Sequence, residues 1–369
     1  FIMNQILILF FLTVVFCCNS QENSKSSVSN QFYSVSNEIN QLAKSEDSLY
    51  KVMLKSCNIL NVDLDKMLKQ YAQKKSTIDT FLLAENSIRI TDDKVKNLSL
   101  SDASRMLNFS IRYNALEMVR LKIYEFQNKL ENKQSWILGQ VDSLRGAYRV
   151  IYKGTTYDLY ISDLKDQEIA LHDKKKGSLS LKNVKDKLES KKREVKMITN
   201  AGMYTPKCDP EGLYISEGKE QFPLDTGSSE ITLNFYMHPN GVFFVDTIGK
   251  AQIVTTDNFK KLSESELGEI SLATQSGPML LVDGEIHHKF NRFSISKKKR
   301  SGVGVFGNKV VFAITEGKTN FFSFASFFQD YFNCPNALFL DGTISLMYLK
   351  EGKVKNLGGA FGPVISISE

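Results

Sequence analysis

The sequence predicts an α+β fold, in which a mixed-sheet domain is preceded by an all-helical N-terminal region. Three observations carry that reading. All seven prolines lie beyond Gly146, and Gly139 is the sole glycine before it. Upstream of that point apolar residues recur at helical spacing. Downstream, short β-branched and aromatic segments are punctuated by Gly, Pro and Asn, the pattern of strands and turns with a few helices between them.

In the helical region, residues 31–145, the stripes are Phe32, Val35, Ile39 and Leu42, then Leu60, Leu64, Met67 and Tyr71. A longer run follows from Leu107 through Ile111, Met118, Phe126 and Ile137 to Leu144, with Ser101 and Asp102 offering an N-cap. Such stripes bury against partner helices. They predict a helical hairpin or three-helix region that spaces the rest of the chain from its anchor, or a coiled coil that makes a homo-oligomer.

In residues 146–369, Tyr148 to Lys153 and Thr156 to Ser162 alternate in strand fashion around Gly154. Further strands are expected at Ile231 to Tyr236, Val242 to Asp246, Val310 to Ile314 and Ala337 to Leu340. Pro239-Asn240-Gly241 reads as a hairpin turn. Helices are expected at Leu181 to Lys191, Ser263 to Gly268 and Phe321 to Phe332, the last with Asp330 facing outward. Gly302-Val303-Gly304-Val305-Phe306-Gly307 matches GxGxxG, but a strand follows where a dinucleotide site needs a helix, so it reads as a β-hairpin.

The first 20 residues read as an export signal with a loose lipobox, Met3 being the expected start. Ile6 to Phe16 is too short an apolar run to span a bilayer. Cys18 is the candidate for acylation, and residues 21–30 form a polar tether. The expected location is therefore extracytoplasmic, secreted or lipid-anchored in a bacterial envelope. The formal net charge is +6, and its short lysine runs suit solvated loops rather than a nucleic-acid groove. Beyond the signal remain Cys57, Cys208 and Cys334, an odd count that leaves open whether Cys208 and Cys334 pair. No zinc spacing occurs, no cofactor is expected, and no metal is assigned.

Five segments place small or polar residues at the exits of apolar strands. They are Asn200-Ala201-Gly202-Met203-Tyr204, Pro239-Asn240-Gly241, Gln275-Ser276-Gly277-Pro278, Arg300-Ser301-Gly302-Val303-Gly304, and Leu340-Asp341-Gly342-Thr343-Ile344-Ser345. Each alone has a plain structural reading. Asp341 can shape an Asx turn, Arg300 can end a basic loop, and Asn200 can be a left-handed turn residue. Glu316, after the strand at Val310, is either a turn residue or a second carboxylate. The four histidines show no triad logic, and His287-His288 is the kind of pair usually found on a surface. Ser276 is no nucleophile elbow, because Thr274 stands where a glycine is required.

In this order the five segments, over roughly residues 146–365, resemble the phosphodiester glycosidase domain family, the type of the N-acetylglucosamine-1-phosphodiester α-N-acetylglucosaminidase or "uncovering enzyme". The form is similar to the bacterial branch. Thr343 stands where the animal branch carries a further glycine, a departure that bears on the sugar rather than the fold. The resemblance implies an exported hydrolase that splits a sugar-1-phosphodiester, GlcNAc-1-phosphodiester-like, into free sugar and phosphomonoester, with an envelope glycopolymer as a possible partner. It implies Asp341, Arg300 and Asn200 as catalytic residues. Asp341 would stabilise an oxocarbenium-like centre or activate water, and Arg300 would hold phosphate. Substrate contacts fall to Asn240, Gln275, Ser276, Gly277, Gly302, Gly342, Ser345 and Glu316, with Gly302 and Gly277 offering N–H groups as an anion nest. The alternatives are a non-catalytic glycan-binding surface lipoprotein and a phosphodiesterase that cuts the P–O bond.

Overall fold

A computed structural model describes residues 27–49, 51, 128–174, 179–227, 234–341, 345–352 and 357–369. Cys18, Cys57, Gly342, the stripes at 60–71 and most of the run from Leu107 lie outside them. Two compact units divide the chain, residues 1–40 with 132–369, and residues 41–131. The described parts of the second unit are the helical residues 41–49 and 51 and the start of the 128–139 helix.

The first unit is built on three sheets. The largest is ordered β1 (Gly146–Tyr152), β2 (Thr155–Asp163), β13 (Lys309–Thr315), β12 (Ser301–Phe306), β14 (Asn336–Asp341), β10 (Met279–Val282) and β11 (Glu285–Ile286). The second is ordered β15 (Met347–Leu349), β4 (Val195–Asn200), β16 (Val364–Ser368) and β3 (Glu168–His172). The third is ordered β6 (Lys219–Phe222), β5 (Tyr214–Ser216), β9 (Ile270–Ser276), β7 (Gly241–Asp246) and β8 (Ala251–Thr255). Every named pair is antiparallel, which corrects the expected mixed sheet. Tight turns such as Lys153-Gly154 and Gly307-Asn308 return the chain beside itself, and antiparallel pairing follows. The GxGxxG run is the β12–β13 hairpin, as its sequence context requires.

Alternation along the strands decides what each face buries. Val303, Phe312 and Leu338 from the first sheet, Met197, Ile365 and Ile367 from the second, and Phe243 and Leu272 from the third meet in one apolar core. The other face of the first sheet carries the Phe321–Phe332 helix, capped by Asn320, whose side chain accepts the Ser323 N–H. Phe324, Phe327, Phe328, Tyr331 and Phe332 are wholly buried there. The helix is covered again by the N-terminal residues. Ser36 Oγ lies 2.9 Å from the Tyr331 hydroxyl, and Gln134 Nε2 donates to the Gln329 carbonyl. Asp330 is therefore buried instead of facing outward, and accepts the Tyr152 hydroxyl. The change of pattern at Gly146 marks the start of β1, yet the compact unit also takes in residues 27–40 and 132–145.

Two further expectations change. Asn234–Tyr236 is turn rather than strand, because Met237 N donates to Asn234 O and His238 N to Tyr236 O. Pro239-Asn240-Gly241 is not a hairpin turn but the entry to β7, fixed by Met279 N on Pro239 O and Thr256 N on Asn240 O.

Candidate active site

Three strand ends converge. β4 ends at Asn200, β12 begins at Ser301, and β14 ends at Asp341, opposite Ser301 in register. Ser301 Oγ is the hub. It accepts from Asn200 Nδ2 at 2.9 Å and from the Asp341 N–H at 3.2 Å, and it reaches the Asp341 carbonyl at 3.0 Å. Ser345 Oγ donates to that same carbonyl at 2.7 Å and lies 3.2 Å from Ser301 Oγ. One residue earlier, Ser276 Oγ donates to the Leu340 carbonyl at 3.0 Å. Asn200, Ser276, Ser301 and Ser345 are all buried, whereas Asp341 is partly exposed. A satisfied buried network of this kind holds one backbone geometry. What it holds here is the peptide of the one acidic residue in the cluster. Tyr204 is close enough for the Asp341 charge to act on its hydroxyl, whose pKa is raised first by burial and then by that charge.

Gly202 explains how β4 can turn into this corner. A side chain there would fall on the Gln275 carbonyl and on Thr274 Oγ1, and its own N–H donates to that hydroxyl at 3.1 Å. The loop it starts returns through a bridge between Tyr204 and Pro210, and the Glu211 N–H donates to Met203 O. This brings a second carboxyl, half-buried, back beside β4. Burial and then the charge of Asp225 raise the pKa of Glu211.

Other expected site residues go elsewhere. Arg300 is 1% exposed, and its guanidinium lies 3.5 Å from the centre of the Phe321 ring. Its Nε donates to Thr319 O at 3.0 Å, and burial lowers its pKa to about 10. It sits in the layer between the large sheet and the helix, not in the Ser301 cluster, because side chains alternate across a strand. Gln275 is spent on the scaffold: Oε1 accepts from Leu213 N and Asp225 N, and Nε2 donates to Asp225 O and Thr256 Oγ1. Asn240 is likewise committed, to Phe235 O and Thr256 Oγ1. The side-chain oxygen and nitrogen of both are engaged within the protein. Gly302 lies inside a strand paired on both edges, so its N–H belongs to the ladder rather than to an anion nest. Gly277 links β9 to β10 beside Ser276. Glu316 is an exposed surface residue paired with Arg149. Asn200 joins the cluster, fully buried and with its Nδ2 donor on Ser301.

Among the described residues no group of three or more His, Cys, Asp or Glu gathers to hold a metal. Cys208 and Cys334 are both free thiols.

Residues 193–362 match the family model described as phosphodiester glycosidase. Over these residues the chain is similar to the phosphodiester glycosidase family. The chain is 39% identical over 178 residues to YigE, an uncharacterized protein of Escherichia coli (strain K12); the match covers 47% of this chain and 66% of that protein's length. Among solved structures, similarity extends to the zebrafish N-acetylglucosamine-1-phosphodiester alpha-N-acetylglucosaminidase catalytic domain auto-inhibited by its pro-peptide. That match has 16% identity and a TM-score of 0.42, and covers 60% of this chain and 81% of that one. A hypothetical protein from Synechocystis aligns at 11% identity and a TM-score of 0.39, covering 60% and 61% of the two chains. The family match begins at Arg193, so β1–β3 and the Leu181–Ser190 helix of the same compact unit lie outside it.

Ser301 and Tyr204 were absent from the residues expected by sequence, although both stand inside the quoted motifs. Strand alternation was the available signal for Ser301, since it puts Ser301 and Arg300 on opposite faces.

Proposed function

We propose that the domain hydrolyses the glycosidic bond of a sugar-1-phosphodiester, with Asp341 as its carboxylate. The observation that carries this reading is the pinned backbone of a partly exposed Asp341 at the meeting of three strand ends. Water attacks the anomeric carbon, the C–O bond to phosphate breaks, and the phosphomonoester leaves with the bonding electrons. Asp341 takes the proton of the attacking water or stabilises the oxocarbenium-like centre. A phosphomonoester is a good leaving group, so one carboxylate with little acid assistance suffices. Glu211, half-buried in the loop after β4 and with its raised pKa, is the candidate for such assistance. Arg300 has no carboxylate partner among the described residues. Its charge acts through a low-dielectric layer and favours an anionic substrate without a direct fork on phosphate.

We further assign the protein to the extracytoplasmic side of a bacterial envelope, anchored through Cys18 and acting on surface glycopolymers, with the helical region as spacer or oligomerisation element. Among the described residues no helix is long and apolar enough to cross a membrane. Turnover of GlcNAc-1-phosphodiesters in 18O water tests the reaction. Label in the released sugar supports it. Label in phosphate supports P–O cleavage, and binding without turnover supports a glycan-binding protein.

A further inference from the structure

A cleft of about 430 Å³ opens on the far side of β16 from β4. It is lined by the free edge of β3, by the last turn of the Leu181–Ser190 helix and by β5. Asp173 and Glu217 also line it, but three features favour an anion. First, Lys187 and Lys191, one helical turn apart, face it without an ion-pair partner among the described residues, whereas its other cations are engaged, Arg193 with Glu168 and Lys174 with Asp209. Second, Tyr214 is among the residues that line the cleft, and its buried hydroxyl has no hydrogen-bond partner among the described residues. Ser216 beside it gives its own proton to the Leu171 carbonyl. A buried hydroxyl left unsatisfied is unfavourable, and a ligand oxygen would relieve that. Third, the field of the two lysines reaches inside. Burial first, and then Lys187 and Lys191, lower the pKa of His172 to about 4, so it stays neutral with Nε2 2.7 Å from Ser366 Oγ.

The cleft also has a fixed relation to the Ser301 cluster. His172 and Asn200 pair with the same residue, Val364, from its two sides. Two strand spacings therefore separate them, roughly 10 Å.

We propose that this cleft is a second anion subsite, which takes the next phosphate of a phosphodiester-linked glycan while the sugar to be released occupies the Asp341 cluster. The two lysines hold the phosphate, and Tyr214 and Gln221 meet the adjoining hydroxyls. The glycan assignment rests on the proposed hydrolase activity; the anion site itself does not.

The test is binding to the full-length protein, read by 31P NMR for inorganic phosphate and by calorimetry for glycans of one and of two sugar–phosphate repeats. K187Q/K191Q, two changes at exposed helix positions, is expected to weaken phosphate binding at least ten-fold and to abolish a ten-fold or larger preference for two repeats over one. Y214F, which keeps the ring, is expected to weaken both several-fold. D341N removes the proposed cleavage and is expected to leave phosphate binding at this cleft intact, so the failure of one proposal is distinguishable from the failure of the other. Unchanged phosphate binding in K187Q/K191Q overturns the subsite. Phosphate binding that depends on the lysines without any preference for two repeats overturns its assignment to a glycan.

Discussion

Arg300 and Ser301 are neighbours in one motif, yet they face two different environments. On the Ser301 side, three strand ends meet in a small set of hydroxyl and amide groups that satisfy one another and fix the Asp341 peptide. On the Arg300 side the partners are rings. His287 stacks on Phe290 at 4.7 Å, Phe290 on Phe321 at 4.8 Å, and the guanidinium lies over Phe321. The first side is a geometry device whose energy lies in hydrogen bonds. The second is an apolar layer that contains a charge it does not neutralise. A motif of five consecutive residues can thus hold both the frame of the proposed reaction centre and a buried positive charge, since the strand separates them by alternation.

The sharpest way to break this contrast is Asp341→Asn. If the cluster exists to aim that carboxylate, kcat for a sugar-1-phosphodiester falls by about 10²–10³-fold, on the order of 3 kcal/mol or more in activation free energy, with KM little changed. Circular dichroism should stay native, because Asp341 is held through its backbone and its side chain is partly exposed. Near-normal turnover would reduce Asp341 to a turn residue.

What the sequence made legible follows the same division. The strand at Ala337 to Leu340, the helix Phe321–Phe332 and the hairpin hidden in GxGxxG were readable because period and punctuation are local signals. The all-antiparallel topology was not, since partner choice among strands far apart in sequence leaves no periodic trace. The buried face of Asp330 was missed for the same reason: only tertiary cover from Ser36 and Gln134, distant in the chain, turns an amphipathic helix into an enclosed one. Residue types at strand exits pointed to Asn200, Asp341 and Ser345, which the fold brings together. Sequence could not tell a polar side chain that meets a ligand from one that braces a loop. Gln275 shows why, because its partners at residues 213, 225 and 256 come from three separate segments.

A pH titration probes the aromatic side of the comparison. His287 was expected on the surface but is 3% exposed, and burial followed by the neighbouring His288 lowers its pKa to about 4. The unfolded chain takes up its proton near pH 6.5, the folded one near pH 4. Stability therefore falls as pH drops from about 6.5 towards 4 and gains no further penalty from this group below that, for a loss on the order of 3 kcal/mol. His287→Phe keeps the stack and should flatten this part of the stability profile in chemical denaturation. An unaltered slope would mean that the ring is not held neutral in the layer.

Arg300→Met separates field from framework. The lowered pKa of Arg300 means that its charged form is disfavoured in the fold, and an apolar side chain of similar length removes that cost while losing the stack on Phe321. The melting temperature is expected to stay level or rise. KM for a phosphodiester should increase by about ten-fold, roughly 1.4 kcal/mol, with a smaller fall in kcat and less effect on a substrate whose leaving group is uncharged. A large loss of stability with unchanged KM would make Arg300 a purely structural cation.

The smallest effect belongs to Glu316, the residue that sequence left between turn and second carboxylate. Its carboxylate is on the surface, paired with Arg149, which also lies 3.3 Å from Asp158, so losing Glu316 leaves Arg149 with an acidic neighbour. Exposed pairs of this kind contribute about 0–1 kcal/mol. Glu316→Gln is therefore expected to shift the denaturation midpoint marginally and to leave kcat and KM within about two-fold, a change within ordinary surface-substitution effects. Glu211 is the contrasting control. Its carboxyl is half-buried in the loop that returns beside β4, and its raised pKa suits a residual acid role. Glu211→Gln should lower kcat most for substrates with poor leaving groups and least for activated aryl phosphodiesters. If Glu316→Gln proves the more damaging of the two, the second carboxylate lies on the β13 side and the reaction centre must be redrawn around Arg149.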